Sequence, residues 1–487
     1  MSERDGLPPG ELYLAGRWAP ARSRDTFATI DPATEKPITE VARGGPDEVH
    51  DAVQAARTGL QACRQMTPAE RARLLSQTAR MLESRIDEFA RLETLDTGKP
   101  LSFARGEIDG CVRYFDYYAG AADKIEGQTI PLGPDYLDYT VREPLGVTAH
   151  ITPWNAPLSM LCRSLAPALA AGNTAVVKPA EQTPLTALAL AGLFHESAWP
   201  AGTYNVITGF GDEAGAALAA HPDIDSLTFT GSVPTGRTVL HAASDNITPV
   251  VCELGGKSPQ IVFDDADLDL AADEIAKGIY SNTGQYCDAG SRLLVHASAH
   301  QPLVERLVER TERLRIGPGV DDPDMGPLIS ATQRERVNGY IDAGRSAGAR
   351  VVTSAGVEAG EGYFVAPTIL DDVRPEMSVA RDEIFGPVLA VLPFRGDREA
   401  AEIAAASDYG LAAGIFTRDI DRALSFARDL PIGYVMVNEY FTGGAESPFG
   451  GYGHSGYGRE RGLAALHNYT RLKTVVVRIH DRAGGHV

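Results

Sequence analysis

Cys287 sits in the run Asn282-Thr283-Gly284-Gln285-Tyr286-Cys287-Asp288-Ala289-Gly290. Most cysteines are small buried packing groups, and Cys63, Cys111 and Cys162, inside helical patterns, fit that role. The setting of Cys287 is different. Its neighbours are polar, and glycines at 284 and 290 permit an exposed turn with close backbone approach. A thiol there can attack an electrophilic carbon. Glu253 ends the apolar run Val250-Val251-Cys252, just before Gly255-Gly256. On a parallel sheet, strand ends of this kind are where active sites collect. A strand-end carboxylate is as often simply solvated, but beside a thiol it can serve as a base for the thiol or for a water. Asn155 lies between two prolines in Ile151-Thr152-Pro153-Trp154-Asn155-Ala156-Pro157. Its amide can donate to a developing oxyanion from a stiff loop, although Asn and Pro are also ordinary turn residues.

A further group of residues suits a nucleotide. No GxGxxG is present. Instead Gly209-Phe210-Gly211-Asp212-Glu213-Ala214-Gly215 opens one helix and Phe229-Thr230-Gly231-Ser232-Val233-Pro234 opens another. Glycine and serine at a helix N-terminus offer N–H groups and a hydroxyl to a phosphate, though many such starts hold no ligand. Lys178 and Glu181, on either side of Pro179-Ala180 at another strand end, add a cation and a carboxylate suited to ribose hydroxyls.

These residues need elements to hold them. Asp47–Ala62 reads as an amphipathic helix, with Val49, Ala52, Val53, Ala56 and Leu60 on one face. Thr67-Pro68-Ala69-Glu70 is a helix start, and its apolar pattern runs unbroken to the stop Thr97-Gly98-Lys99-Pro100. A third helix covers about 103–122. From Gly146 onward short apolar strands alternate with helices: strands at 147–151, 175–178, 204–208 and 226–230, helices at 157–171, 184–196 and 212–220. This alternation argues for a doubly wound parallel sheet. A second αβ stretch starts near Pro259, with strands at 260–263, 291–295, 388–393 and 433–437. Two strand-like segments belong to neither stretch, Tyr136–Arg142 and Lys473–Ile479, and they are suited to pair with each other as an arm.

The composition is that of a soluble multidomain α/β enzyme. The 487 residues are 44% apolar and 23% charged, with 45 Lys plus Arg against 65 Asp plus Glu. A net charge of −20 argues against nucleic acid and anionic membrane surfaces as partners. Five cysteines do not make a disulfide framework and point to a reducing, cytoplasmic compartment. No apolar run has transmembrane length, the first ten residues carry no signal-like segment, and no metal is expected.

Taken together the motifs resemble the NAD(P)-dependent aldehyde dehydrogenases. The stretches that match are Pro153-Trp154-Asn155, Lys178-Pro179-Ala180-Glu181, Phe229-Thr230-Gly231-Ser232, Glu253-Leu254-Gly255-Gly256-Lys257, Gly284-Gln285-Tyr286-Cys287, Glu383-Ile384-Phe385-Gly386-Pro387 and Pro448-Phe449-Gly450-Gly451. They follow the family's order from about Leu12 to Val477. The resemblance implies that Cys287 is the nucleophile, that Asn155 is an oxyanion donor and that Glu253 is the base that activates water. Ile151, Trp154, Lys178, Glu181, Gly211 and Gly215 would hold the dinucleotide. So would Phe229, Gly231, Ser232, Leu254, Glu383 and Phe385. NAD is the expected cofactor, with NADP the weaker alternative, because Glu181 would repel a 2′-phosphate.

The implied fold has two doubly wound α/β domains and an oligomerisation arm. The dinucleotide-binding domain would comprise 1–121 and 145–253, the catalytic domain 254–465, and the arm 122–144 and 466–487. A homodimer or homotetramer is expected. Positions 110, 156, 159, 163, 281, 286, 288, 441, 443 and 449 would line the substrate tunnel. Gly110, Ala156, Ser159, Ser281 and Gly443 are small there, while Tyr286, Phe441 and Phe449 are aromatic. With Arg163 and Asp288 beside them, they favour a bulky, aromatic or distally polar aldehyde. Arg163 either pairs with Asp288 or another nearby acid, or binds a polar group of the substrate. Two alternatives stand beside aldehyde oxidation: a CoA-acylating semialdehyde dehydrogenase, and a non-catalytic binding protein on the same fold.

Overall fold

A computed structural model describes residues 6–353 and 360–479. The first large sheet has the strand order Arg17–Ala19, Leu12–Leu14, Tyr204–Val206, Thr174–Lys178, Val147–Ile151, Ser226–Thr230, Val250–Glu253, Gly456–Tyr457. The five strands from Tyr204 to Glu253 in that order are parallel. Their side chains are buried on both faces, which is why they read as continuous apolar runs rather than as alternations. Both ends are closed by antiparallel pieces that the sequence pattern did not reveal: Leu12–Leu14 on one side and Gly456–Tyr457 on the other.

The second large sheet runs Arg350–Val351, Thr368–Asp371, Val388–Phe394, Arg292–His296, Pro259–Val262, Ala412–Phe416, Tyr434–Val437. It is parallel apart from its first strand. Separate apolar clusters cover the two faces of each sheet.

Tyr136–Pro144 and Thr470–Arg478 do pair, antiparallel and in register from Pro144↔Thr470 to Tyr136↔Arg478. Thr129–Ile130 adds a short third strand. Leu137, Leu472, Val476 and Val477 remain exposed on this arm. Residues 480–487, assigned to the same arm, lie outside the described residues, as do residues 1–5.

Two expected helices differ. The long pattern after Thr67 begins as expected, with Thr67 capping the Glu70 N–H and Pro68 in the first turn. It is, however, two helices, Pro68–Glu83 and Ile86–Thr97. Arg85 leaves helical geometry at φ −124° and ψ 19°, while the apolar spacing continues across the break and hides it. The expected helix at 212–220 is a π-type turn, Gly211–Gly215, followed by the single turn Ala216–Ala219. The Gly215 N–H reaches back five residues to the Phe210 carbonyl at 3.2 Å, in place of the α-helical four.

Candidate active site

Strand register sets the site. Lys178, Ile151, Phe229 and Cys252 stand side by side across the sheet, and Thr230 faces Glu253 one residue further on. The carboxyl ends of the strands therefore present a cation, a hydroxyl and a carboxylate along one edge. A cleft of about 450 Å³ opens against that edge. Its walls bring together Trp154, Asn155, Gly231, Ser232, Glu253, Cys287, Glu383 and Phe385 from both sheets.

The remaining expected cofactor residues stand behind the wall or beside it. Lys178 is 3% exposed and pairs with Glu181 at 2.9 Å; burial pulls its ammonium below the usual lysine value while Glu181 opposes that. Gly215 leaves the Lys178 stem room, since a Cβ there would lie 3.9 Å from its Cδ. Nothing crowds Gly211. A Cβ at Gly231 would lie 2.6 Å from the buried Phe229 ring, so only glycine lets the loop cross that ring. Leu254 is buried and its N–H donates to the Ser455 carbonyl at 3.1 Å. Ser232 caps the helix Val233–Ser244, whose N-terminus favours an anion.

Cys287 is half-buried, whereas Cys63, Cys111, Cys162 and Cys252 are buried; all five are free thiols. Burial pushes the Cys287 thiol well above its ordinary value; Asp288, whose Oδ1 lies 4.0 Å from the sulfur, adds to this and Arg163 opposes it. Glu253 is 2% exposed and neither carboxyl oxygen has a hydrogen-bond partner. Burial, then repulsion from Glu460, holds it far above the usual carboxylate range, against Arg163, Arg459 and Arg461. An unsatisfied carboxyl with a raised pKa, opening on a cleft, is a candidate for proton transfer. Gly450 passes close by, and a Cβ there would lie 2.9 Å from the Glu253 Oε1. The Asn155 Nδ2 donates one hydrogen to the Gln285 carbonyl at 2.8 Å, which fixes the amide plane and leaves its second N–H for a ligand.

Glu383 enters over Gly255, where a Cβ would fall 2.2 Å from its Oε2. Its Oε1 accepts the Gly256 N–H at 3.1 Å, and burial pushes the acid up to about 7. Phe385, at φ 63°, meets the Trp154 ring edge-on at 5.2 Å. Sequence reasoning missed the group that holds this loop. Gln333 donates to the Phe385 carbonyl at 2.8 Å and Arg336 to the Glu383 carbonyl at 2.6 Å, both from the helix Ala331–Ser346. Gln333, Arg336 and Tyr340 all reach the cleft wall. Their spacing of three and four residues after the helix cap Ser330 was the available signal.

None of the residues expected to line a substrate tunnel forms a wall of this cleft; among them Tyr286 packs between Phe441 at 5.6 Å and Phe103 at 6.1 Å. Asp288 is half-buried, and its carbonyl accepts the Tyr440 hydroxyl at 2.7 Å. Phe449 is buried between two guanidiniums, Arg163 at 5.1 Å and Arg461 at 4.9 Å. Of the two readings of Arg163, its surroundings show the pairing with an acid. Its side chain is 1% exposed and paired with Glu460, also 1% exposed. The acid it takes is Glu460 and not Asp288. Glu460 and Arg461 were missed, because only folding brings the charged run Arg459-Glu460-Arg461 beneath Glu253.

Removing one member of a fully buried ion pair strands the other. Arg163→Ala is therefore expected to destabilise the protein by about 3–5 kcal/mol in chemical denaturation. It should change KM for an anionic semialdehyde and for benzaldehyde alike. A loss confined to the anionic substrate would return Arg163 to substrate binding.

Residues 18–475 match the aldehyde dehydrogenase family. An aldehyde dehydrogenase of Emericella nidulans is 44% identical over 476 residues, covering 97% of this chain and 96% of that protein. A hydroxyisobutyraldehyde dehydrogenase of Mycolicibacterium austroafricanum is 44% identical over 480 residues, 98% and 95% of the two chains. Among solved structures, the NAD+ complex of aldehyde dehydrogenase from Bacillus cereus superposes with a TM-score of 0.95 at 44% identity, covering 96% of each chain. This chain belongs to the aldehyde dehydrogenase family, and it is an oxidoreductase that acts on aldehydes. The expected α/β fold of that family is the fold observed.

Proposed function

We propose that the protein oxidises an aldehyde to its carboxylic acid with NAD, through a thioester on Cys287. The observation that carries this reading is the cleft in which Cys287, Asn155 and Glu253 meet Trp154, Ser232, Glu383 and Phe385. The Cys287 thiol, its pKa raised by burial, gives up its proton to solvent in the cleft; the sulfur then bonds to the carbonyl carbon and the carbonyl oxygen takes the negative charge. Asn155 donates its free N–H to the oxyanion, a stabilisation that grows with the charge. Bound NAD supplies the hydride acceptor that makes the adduct a thioester. Glu253, buried and without a partner, takes a proton from the water that cleaves the thioester. Retention of this base favours hydrolysis over transfer to CoA, and the three reactive groups in one cleft argue against a non-catalytic role. NADH formation at 340 nm with a panel of aldehydes tests the reading, and an inert panel would overturn it.

The residues present fit NAD. Ser232 and the helix N-terminus behind it suit the phosphates, Glu383 and Phe385 suit the nicotinamide end, and Lys178 with Glu181 suits the adenosine ribose. The NAD+ complex of the Bacillus cereus relative supports the same choice. Glu181 is only 30% exposed, so an added 2′-phosphate would meet like charge in a partly dry site. Expected kcat/KM is at least about tenfold higher with NAD than with NADP, roughly 1.4 kcal/mol of discrimination. Glu181→Gln should narrow that ratio; equal efficiency with the two cofactors in the parent would refute the assignment.

For the substrate we propose an aldehyde larger than acetaldehyde, aromatic or distally polar. The small residues Gly110, Ser159 and Ser281 would leave room, although Ala156 is fully buried and the Tyr434 hydroxyl fills the space beside Gly443, and Tyr286 and Phe441 would offer ring faces. The two large sheets would belong to the dinucleotide-binding domain (1–121 and 145–253) and the catalytic domain (254–465), with Gly456–Tyr457 of the latter range joining the edge of the first sheet. With the arm taken as 122–144 and 466–487, its exposed Leu137, Leu472, Val476 and Val477 favour a homodimer or homotetramer, and the free cysteines favour the cytoplasm. Light scattering should give a mass of two or four chains at micromolar concentration; a stable monomer would exclude this.

A further inference from the structure

Lys99 belongs to the turn Thr97-Gly98-Lys99-Pro100 and contributes to no wall of the cleft. Its side chain is nevertheless fully buried. The ammonium has three partners: Glu93 Oε1 at 3.2 Å, a Glu107 oxygen, and the backbone carbonyl of Asn155 at 3.0 Å. Burial works against the charge, but Glu107 and Glu93 outweigh it and hold the pKa above the ordinary lysine value. The other oxygen of Glu107 accepts the hydroxyl of Tyr286, the residue before the nucleophile. One ammonium thus joins two loops, at Asn155 and at Cys287. Asn282 closes the ring by donating to the same Asn155 carbonyl at 2.9 Å.

The turn itself cannot drift. Gly98 takes φ +79° to end the helix. A Cβ on Gly319 would fall 2.2 Å from the Lys99 carbonyl, and one on Gly326 would fall 2.1 Å from the Gly98 carbonyl. Glycine backbone from a distant part of the chain is packed directly onto the turn, so Lys99 starts from a fixed point. A charged bond to a backbone carbonyl, made from a fixed point in a dry interior, orients that peptide strongly.

We propose that Lys99 is a positioning residue that sets the oxyanion-binding geometry, aligning the Asn155 amide with the peptide of Cys287. The inference rests on Asn155 and Cys287 having the roles given above. It makes formation of the carbonyl adduct sensitive to Lys99 and leaves the sulfur's intrinsic reactivity alone.

Lys99→Met alone would leave two buried carboxylates facing each other, a strain that invites misfolding. The test is the neutral set Glu93→Gln, Lys99→Met and Glu107→Gln, in which the amide oxygen at position 107 still offers Tyr286 an acceptor. Stopped-flow measurement of the NADH burst at saturating NAD reads adduct formation and oxidation together. Alkylation of Cys287 by iodoacetamide, a displacement that develops no oxyanion, reads thiol access and site integrity. The burst should slow by about 30-fold or more, with alkylation and KM for NAD within about twofold of the parent. Tyr286→Phe, which keeps the ring and cuts only the second branch, should slow the burst about tenfold with the same alkylation rate. A burst within about threefold of the parent in a folded triple variant would overturn the proposal, as would burst and alkylation falling in parallel. If the triple variant does not fold, an unchanged burst in Tyr286→Phe overturns it. Cys287→Ala separates the two levels: a surviving burst there would condemn the roles assigned to the site, not Lys99.

Discussion

Cys287→Ala is expected to lose at least about 10⁴-fold in kcat while NAD binding stays within about twofold of the parent. The size follows from the chemistry. Without sulfur there is no adduct, so the oxyanion donor and the base have no intermediate on which to act, and groups that work as a unit fail together. Binding is spared because Cys287 forms one corner of the cleft, while Ser232, Glu383, Phe385 and Trp154 form the rest. The side chain is small and already half-exposed, so its loss leaves little cavity. Turnover assays and NAD titration by protein fluorescence check the two halves separately. Substantial residual turnover would mean that the nucleophile lies elsewhere.

Glu253→Gln is expected to keep the first-turnover burst of NADH and nearly abolish the steady turnover that follows it. NADH should form to about one equivalent per site, and the following steady rate should fall roughly 10³-fold, because an amide has the carboxyl's shape but cannot take a proton from water. The parent's steady rate should climb with pH through the raised pKa of Glu253, since only the ionised form is a base. The variant should lose that limb. Stability runs the other way. A carboxyl whose folded pKa lies above its unfolded pKa contributes stability below the unfolded value and loses it as pH rises through the folded one. The Gln variant should therefore be the more thermostable protein at alkaline pH, by melting in parallel pH series. A normal steady rate after the first turnover would remove Glu253 from the mechanism.

What the sequence disclosed and what it withheld divide along physical lines. Lys178, Ile151, Phe229 and Glu253 were legible because a parallel strand buried on both faces announces its end, and strand ends are where the register gathers residues. Cys287 and Asn155 were legible from loop chemistry and from the family resemblance. The break at Arg85 was not, because apolar periodicity carries across it. Nor was the Arg163–Glu460 pair, nor the grip of Gln333 and Arg336 on the 383–385 loop. These contacts join residues far apart in the chain, and neither partner's local pattern contains the other. The same holds for Lys99, which reads locally as no more than the residue after a helix stop.

The piece of strand at Gly456–Tyr457 has a consequence for the making of the protein. It is the last neighbour of Val250–Glu253, and the Ser455 hydroxyl beside it donates to the carbonyl of Gly255, 200 residues upstream, at 2.7 Å. A ribosome adding about 5–20 residues per second needs roughly 10–40 s to cross that gap. Throughout that interval Glu253 has been synthesised but its strand lacks the outer partner. The nascent chain can complete most of its first sheet early, yet Glu253, the proposed base, gains the outer neighbour of its strand only some 200 residues later. The pairing of the strand that carries the proposed base is thus completed after all five parallel strands of its sheet have been made.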